Sequence, residues 1–151
     1  MKIENQSQAL HVVGIELRTS NRDAARTIPP HWRRFAEERI AERVPARIGD
    51  AVYAVYTHFE HAGVDNDGAY SLVIGVAVPG ASAQVPDGML RVVAPASARA
   101  VFPVERGRFD LVGAAWQRVW QWNERPKTYV ADYERYRADG EIELLIGVQA
   151  T

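Results

Sequence analysis

The chain has 151 residues, a length that fits a single domain able to bury a core without disulfides or metals. Eighteen basic residues face 19 acidic ones, for a net charge of −1, and there is no cysteine. This balance argues against direct nucleic-acid binding, and the absence of cysteine excludes disulfides and thiolate metal sites. Residues 1–10 lack a signal-peptide core, and no apolar run approaches the ~20 residues of a membrane span, which predicts a cytoplasmic protein.

The first half of the chain predicts a strand, a helix and a hairpin. Residues 11–18 alternate apolar with smaller or polar side chains, as half-buried strands do. After Pro29-Pro30, apolar residues recur at helical spacing and predict a helix that ends near Pro45. Residues 51–60 and 70–78 are rich in β-branched and aromatic residues, and they predict two antiparallel strands joined by a polar loop.

The second half repeats this order after a linker at residues 79–88. Residues 89–106 predict edge or broken strands, because Pro95 and Pro103 cannot donate a ladder hydrogen bond. Apolar and aromatic residues from 109 to 120 then recur at helical spacing and predict a second amphipathic helix.

A second hairpin closes the chain. Residues 129–136 and 141–148 predict its two strands, with Asp139-Gly140 as the turn between them. Residues 68–76 and 140–148 share five of nine amino acids, which indicates an internal duplication. Upstream of these segments, Phe59-Glu60 aligns with Tyr133-Glu134.

The duplication predicts an α+β fold made of two pseudo-symmetric β-α-β-β repeats. The repeats cover roughly residues 10–80 and 89–151 of a single domain, 1–151. Together they are expected to form an antiparallel sheet with two main helices.

Aromatic residues concentrate near the end of the second helix. Trp116 and Trp120 lie on one helical face, whereas Trp122 lies about 200° from Trp120 around a helix of 3.6 residues per turn. One of Trp120 and Trp122 must therefore leave the core face, and the sequence leaves open which. Large exposed aromatic side chains mark ligand or partner surfaces.

Glu134 lies between Tyr133 and Tyr136 in a segment that otherwise reads as a strand. One interpretation is a solvent-facing strand residue. The other is a carboxylate that faces an aromatic cavity, where desolvation favours a cation as its partner. Aromatic rings beside it would add cation–π attraction of ~0.5–2 kcal/mol each.

The polar hairpin tip contains metal-ligand residue types, namely His58, Glu60, His61, Asp65 and Asp67. Their spacing fits neither a strand face nor a calcium loop, so no metal site is predicted. The sequence also lacks a Gly-rich phosphate loop and a nucleophile elbow, and no catalytic residue is assigned.

The order of elements, together with four segments, resembles the GyrI-like, or AraC-type, effector-binding domains. The segments are 56–60, 68–78, 116–122 and 133–136. The chain is also similar to stand-alone members of that family on mobile gene cassettes. About ten residues precede the first predicted strand, too few for a helix-turn-helix. We therefore expect a protein that acts alone or beside a separate regulator.

The resemblance implies a pocket between the two halves for hydrophobic, often cationic, small molecules. In multidrug-responsive relatives a glutamate at the bottom of the pocket meets the positive charge, and the matching position here is Glu134. The implied wall residues are Tyr56, Phe59, Trp116 and Trp120. No cofactor is implied.

Three functions are compatible with these residues. The first is a non-enzymatic binding module that senses or sequesters cationic, amphipathic compounds. The second is a small-molecule hydrolase with Glu134 as general base and Tyr56 as proton donor. The third is a protein-interaction module, which the family's link to gyrase inhibition suggests. The binding module is favoured over an enzyme.

Overall fold

The computed structural model describes residues 2–150, which form eight β-strands and two α-helices. The strands are β1 (Lys2–Gln6), β2 (Leu10–Ser20), β3 (Val52–Thr57), β4 (Ala69–Val78), β5 (Leu90–Ala94), β6 (Ser97–Val104), β7 (Ala131–Tyr136) and β8 (Ile142–Val148). The helices are α1 (Ala24–Glu37) and α2 (Val112–Gln121). Short 3₁₀ turns occupy Ala41–Arg43 and Phe109–Leu111.

All eight strands form one antiparallel sheet in the order β1-β6-β8-β7-β3-β4-β2-β5. The units β2-α1-β3-β4 and β6-α2-β7-β8 have the same topology, and β3 pairs with β7 at the centre of the sheet. The predicted α+β fold class is therefore confirmed. The extent of the domain and of its two repeats stays a prediction, and Met1 and Thr151 lie outside the described residues.

The register of the two hairpins corrects the upstream alignment of the repeats. If Val73 of β4 corresponds to Leu145 of β8, as the matched segments require, their partners on the neighbouring strands also correspond. Those partners are Val55 and Tyr133. The counterpart of Glu134 is thus Tyr56, and the alignment with Glu60 was wrong. The polar loop that connects β3 to β4 covers residues 58–68. The connection between β7 and β8 is shorter and covers residues 137–141.

The first helix differs from its prediction at both ends. It begins at Ala24, before Pro29-Pro30, and it ends at Glu37 instead of near Pro45. Pro29 and Pro30 lie inside the helix and do not start it. The strand β1 was also missed, because four of its five residues are polar and it is a short edge strand with three exposed residues.

Alternation along the strands separates two faces of the sheet. On one face, residues such as Ala54, Leu72 and Leu144 pack beneath the two helices. On the other, residues such as Val55 and Val73 form a separate core. The helices therefore cover only one face, and the central strands present their helix-side residues to the space between α1 and α2.

Candidate functional site

A cavity of about 1400 Å³ opens between the two repeats on the helix-covered face of the sheet. Strands β3 and β7 supply its floor, α1 and α2 its walls, and the loop after β3 contributes to its rim. Ligand pockets usually enclose about 300–1,000 Å³, so this one is large enough for a bulky organic molecule.

The floor places three polar side chains in a row. Asp132, Glu134 and Tyr136 are alternate residues of β7 and all line the cavity, whereas Tyr133 packs into the core of the opposite face. Tyr56 of β3 lies beside Asp132 in the strand register. Strand periodicity therefore determines which side chains of this segment reach the cavity.

Glu134 is only 2% exposed, and three hydrogen-bond donors hold its carboxylate. The Tyr56 hydroxyl and the Trp116 indole Nε1 each donate to Oε2 at 2.7 Å. The Tyr136 hydroxyl donates to Oε1 at 2.5 Å. These donors come from β3, α2 and β7, so the carboxylate joins both repeats and the second helix.

Burial raises the pKa of the Glu134 carboxyl, while the hydrogen bonds from Tyr136, Trp116 and Tyr56 act in the opposite direction. The same burial, together with the nearby Glu134 charge, raises the pKa of the Tyr56 and Tyr136 hydroxyls. Both phenols therefore stay protonated and remain donors at neutral pH.

Aromatic rings surround the carboxylate on both sides. The rings of Tyr56 and Trp116 meet edge to face at 4.9 Å, and those of Trp32 and Tyr136 at 5.1 Å. Phe109 stacks on Tyr136 at 5.9 Å. Such faces carry negative electrostatic potential, which attracts a cation in addition to the attraction of the carboxylate.

The structure places all five predicted ligand-binding residues around this one cavity. They are Tyr56, Phe59, Trp116, Trp120 and Glu134. It also answers the question left open between two tryptophans. Trp120 lines the cavity and is 44% exposed, whereas the Trp122 ring packs on Phe102 and its Nε1 donates to Glu124.

The residues that line the cavity without having been predicted include Trp32, Phe109, Asp132 and Tyr136. Two of these residues were predictable from the sequence, because the alternation that places Glu134 inward also places Asp132 and Tyr136 inward. Trp32 lies on the first helix and also packs against the core beneath it.

Asp132 adds a second buried acid to the floor. It is 7% exposed, and its Oδ1 accepts a hydrogen bond from the Gly147 backbone N–H at 2.8 Å. Burial raises the pKa of Asp132 to about 6, against the opposing effects of that hydrogen bond and of Arg99 and Lys127. Lys127 also lines the cavity, and its Nζ donates to the Trp122 carbonyl at 2.8 Å.

One histidine of the hairpin tip pairs with its acidic neighbours. His61 Nδ1 lies 2.8 Å from Asp65 Oδ1, and this contact raises the pKa of His61. Among residues 2–150 no three metal-binding side chains come together. Within the same residues, no helix has the length and apolarity needed to cross a membrane.

Paired β-α-β-β repeats around a large aromatic cavity with a buried carboxylate define a domain of the effector-binding class. The model of the family described as "Integron-associated effector binding protein" (Cass2) matches residues 5–148. The chain belongs to this family, and the predicted resemblance is confirmed. No curated protein matches the chain in sequence.

Solved structures with low sequence identity share the fold. An integron cassette protein of Vibrio cholerae is 19% identical with a TM-score of 0.75, over 98% of this chain and 95% of that one. SAV2435 bound to tetraphenylphosphonium is 16% identical with a TM-score of 0.75, over 99% and 93% of the two chains. A putative transcription regulation protein of Staphylococcus aureus MU50 is 15% identical with a TM-score of 0.73, over 99% and 97%.

Proposed function

We propose that this chain binds a hydrophobic, cationic small molecule in the cavity, with Glu134 as the counter-charge. The observation that carries the proposal is a buried carboxylate held by three donors that has no basic partner. Among residues 2–150, no lysine, arginine or histidine pairs with Glu134, and none contributes to the shift of its pKa. A cationic ligand would supply the missing positive charge.

The donors fit this role because they stabilise the ionised form without neutralising it. Tyr56, Tyr136 and Trp116 are uncharged, so an ionised Glu134 keeps its negative charge after all three hydrogen bonds form. Because Glu134 is buried, that charge attracts a ligand cation more strongly than it would in bulk water. The ligand's apolar groups would gain about 25 cal/mol for each Å² buried against the rings.

A neighbour in structure supports the choice of ligand class. SAV2435 has been solved bound to tetraphenylphosphonium, a bulky cation with four aromatic rings. For the present chain this makes tetraphenylphosphonium a suitable probe. Tetraphenylborate has nearly the same shape with the opposite charge, so the pair separates charge recognition from shape recognition.

The test is a fluorescence titration, since Trp116 donates to Glu134 and Trp120 lines the same cavity. We expect tetraphenylphosphonium to quench the wild type saturably and tetraphenylborate to bind at least about tenfold more weakly. Glu134→Gln keeps the size of the side chain and removes the charge, and we expect it to weaken phosphonium binding about tenfold or more. Glu37→Gln, at an exposed position, is the control and should leave affinity unchanged.

Equal affinity for the two tetraphenyl ions, or an unchanged affinity in Glu134→Gln, would overturn the proposal. The hydrolase and protein-interaction alternatives stay predictions. A general base needs a free acceptor, and three donors already occupy Glu134, which favours binding over hydrolysis. Cytoplasmic location, action beside a separate regulator and the absence of direct nucleic-acid contact also stay predictions.

A further inference from the structure

Asp132 is a second buried acid on the cavity floor that the proposed function does not use. Its Oδ1 accepts a hydrogen bond from the Gly147 N–H. This bond lies just past the last residue pair of β7 and β8, Tyr133 with Leu145. Its Oδ2 accepts no hydrogen bond from any donor of residues 2–150. The side chain is more than nine-tenths buried, and it lines the cavity.

The two acids therefore offer different recognition chemistry. A carboxylate has about four acceptor positions, and at Glu134 three of them are taken by Tyr56, Trp116 and Tyr136. Glu134 consequently attracts charge but has little capacity to accept a hydrogen bond from a ligand. Asp132 Oδ2 has no protein donor and is not sealed from the cavity, so it can accept a hydrogen bond from a ligand that supplies a donor.

Neighbouring cations do not occupy this oxygen. Lys127 lies close enough to influence Asp132, but its Nζ donates to the Trp122 carbonyl and it forms no ion pair with Asp132. Arg99 lies on the other face of the sheet, where its donors go to Gln6, Pro95 and Ala131. Both cations favour an ionised Asp132, which strengthens any hydrogen bond that it accepts.

We propose that Asp132 is a second ligand subsite, and this inference rests on the proposed function. Aromatic cations that bear an N–H donor are then the preferred effector class. The cationic ring lies against Glu134 and the aromatic walls. The donor reaches Asp132 Oδ2, and alternate residues of a strand are separated by roughly 6.6 Å, which sets the approximate span of the ligand.

Three probes of one skeleton test this specificity. They are 1-methyl-4-(4-aminophenyl)pyridinium, its N,N-dimethylamino analogue and the unsubstituted 1-methyl-4-phenylpyridinium. All are monocations, and only the first carries N–H donors. At about pH 8, where Asp132 is ionised, we expect the amino probe to bind wild type about tenfold more tightly than the dimethylamino probe.

The variants separate the two acids. In Asp132→Asn the amide oxygen keeps the hydrogen bond from Gly147 and turns an NH₂ donor toward the cavity, so the advantage of the amino probe should disappear. In Glu134→Gln all three probes should weaken together while the ratio between amino and dimethylamino probes stays. Near-UV circular dichroism verifies that each variant is folded.

The outcomes distinguish this inference from the proposed function. If the probes bind and Glu134→Gln weakens them all, but wild type does not prefer the amino probe, the Asp132 subsite is wrong and the proposed function stands. A preference that persists in Asp132→Asn also overturns the subsite. If no probe binds wild type, or Glu134→Gln changes nothing, the proposed function fails and the subsite fails with it. The wild-type preference alone decides the matter should Asp132→Asn not fold.

Discussion

Glu134 combines burial with an unbalanced charge, and this combination predicts a pH-dependent affinity. A cation prefers the ionised carboxylate, so binding weakens as pH falls through the pKa of Glu134. Because burial raises that pKa, the loss should begin at a higher pH than for an exposed glutamate, whose pKa is about 4.3. Titrations with tetraphenylphosphonium across pH measure this dependence. Glu134→Gln retains Asp132, so the difference between the two profiles isolates Glu134, and identical profiles would contradict the prediction.

The Tyr56 hydroxyl supports the charge of Glu134, and its removal should be measurable. Tyr56→Phe deletes the donor 2.7 Å from Oε2, and the resulting rise in the pKa of Glu134 should weaken phosphonium binding about threefold to tenfold. Tyr53→Phe is the matched control, since Tyr53 is on the opposite face of the same strand. If both variants bind equally well, the Tyr56 hydrogen bond does not tune the site.

At the level of single residues, the sequence allowed more cavity residues to be predicted than were named. The family pattern identified Glu134, and a period of two would have added Asp132 and Tyr136. The contact of Phe109 with Tyr136 could not be found this way, because it depends on the path of the chain between β6 and α2. Residues on different elements meet only once the helices are placed.

Among the elements, α1 shows why proline misled the prediction. Proline favours the first turn of a helix, so Pro29-Pro30 was taken as the start. In the structure both prolines lie inside the helix, where each removes one intrahelical donor. Ile28, Trp32 and Phe35 pack against the sheet from this helix, and that packing outweighs the local preference. The early start also brings Ala24 and Ala25 to the cavity wall.

Alanine substitutions at two glycines should change the free energy of unfolding in opposite directions. A Cβ on Gly75 of β4 would overlap the backbone of Val13 on β2, so Gly75→Ala should destabilise the protein by about 1–3 kcal/mol. A Cβ on Gly113 of α2 meets open space, so Gly113→Ala should stabilise it by about 0.5 kcal/mol. Urea unfolding measures both free energies. Equal effects would show that β2 and β4 do not approach each other this closely.

Across the whole molecule, the internal duplication was visible in sequence because the second strands of the two hairpins, β4 and β8, are similar. The strands outside the repeats were harder to place. The strand β1 lacks a strong strand pattern, and it is fixed by pairing with β6 and not by its own propensity. Its position matters for the opposite face of the sheet. Gln6 Nε2 donates to the Ala94 carbonyl at 3.0 Å, so the outermost strands β1 and β5 meet there.

Arg99 holds this closure together. It is 1% exposed, and its guanidinium donates to Gln6 Oε1 and to the carbonyls of Pro95 and Ala131. Its charge also lies 5.2 Å from the centre of the Tyr133 ring. One side chain thus connects β1, β6, β7 and the turn between β5 and β6, which are far apart in sequence.

Replacement of Arg99 should therefore lower stability while leaving Glu134 and its three donors in place. Arg99→Met keeps much of the apolar stem but removes the guanidinium donor from the Pro95 and Ala131 carbonyls and from Gln6 Oε1, which keeps the Tyr133 hydroxyl. We therefore expect a loss of about 2–4 kcal/mol in the free energy of unfolding. Arg33→Met, at an exposed position of α1, is the control and should change it by less than about 0.5 kcal/mol. Under conditions where Arg99→Met remains folded, its affinity for tetraphenylphosphonium should stay within about threefold of wild type, because Arg99 lies on the face opposite the cavity. An unchanged stability would show that backbone pairing alone fixes the edges of the sheet.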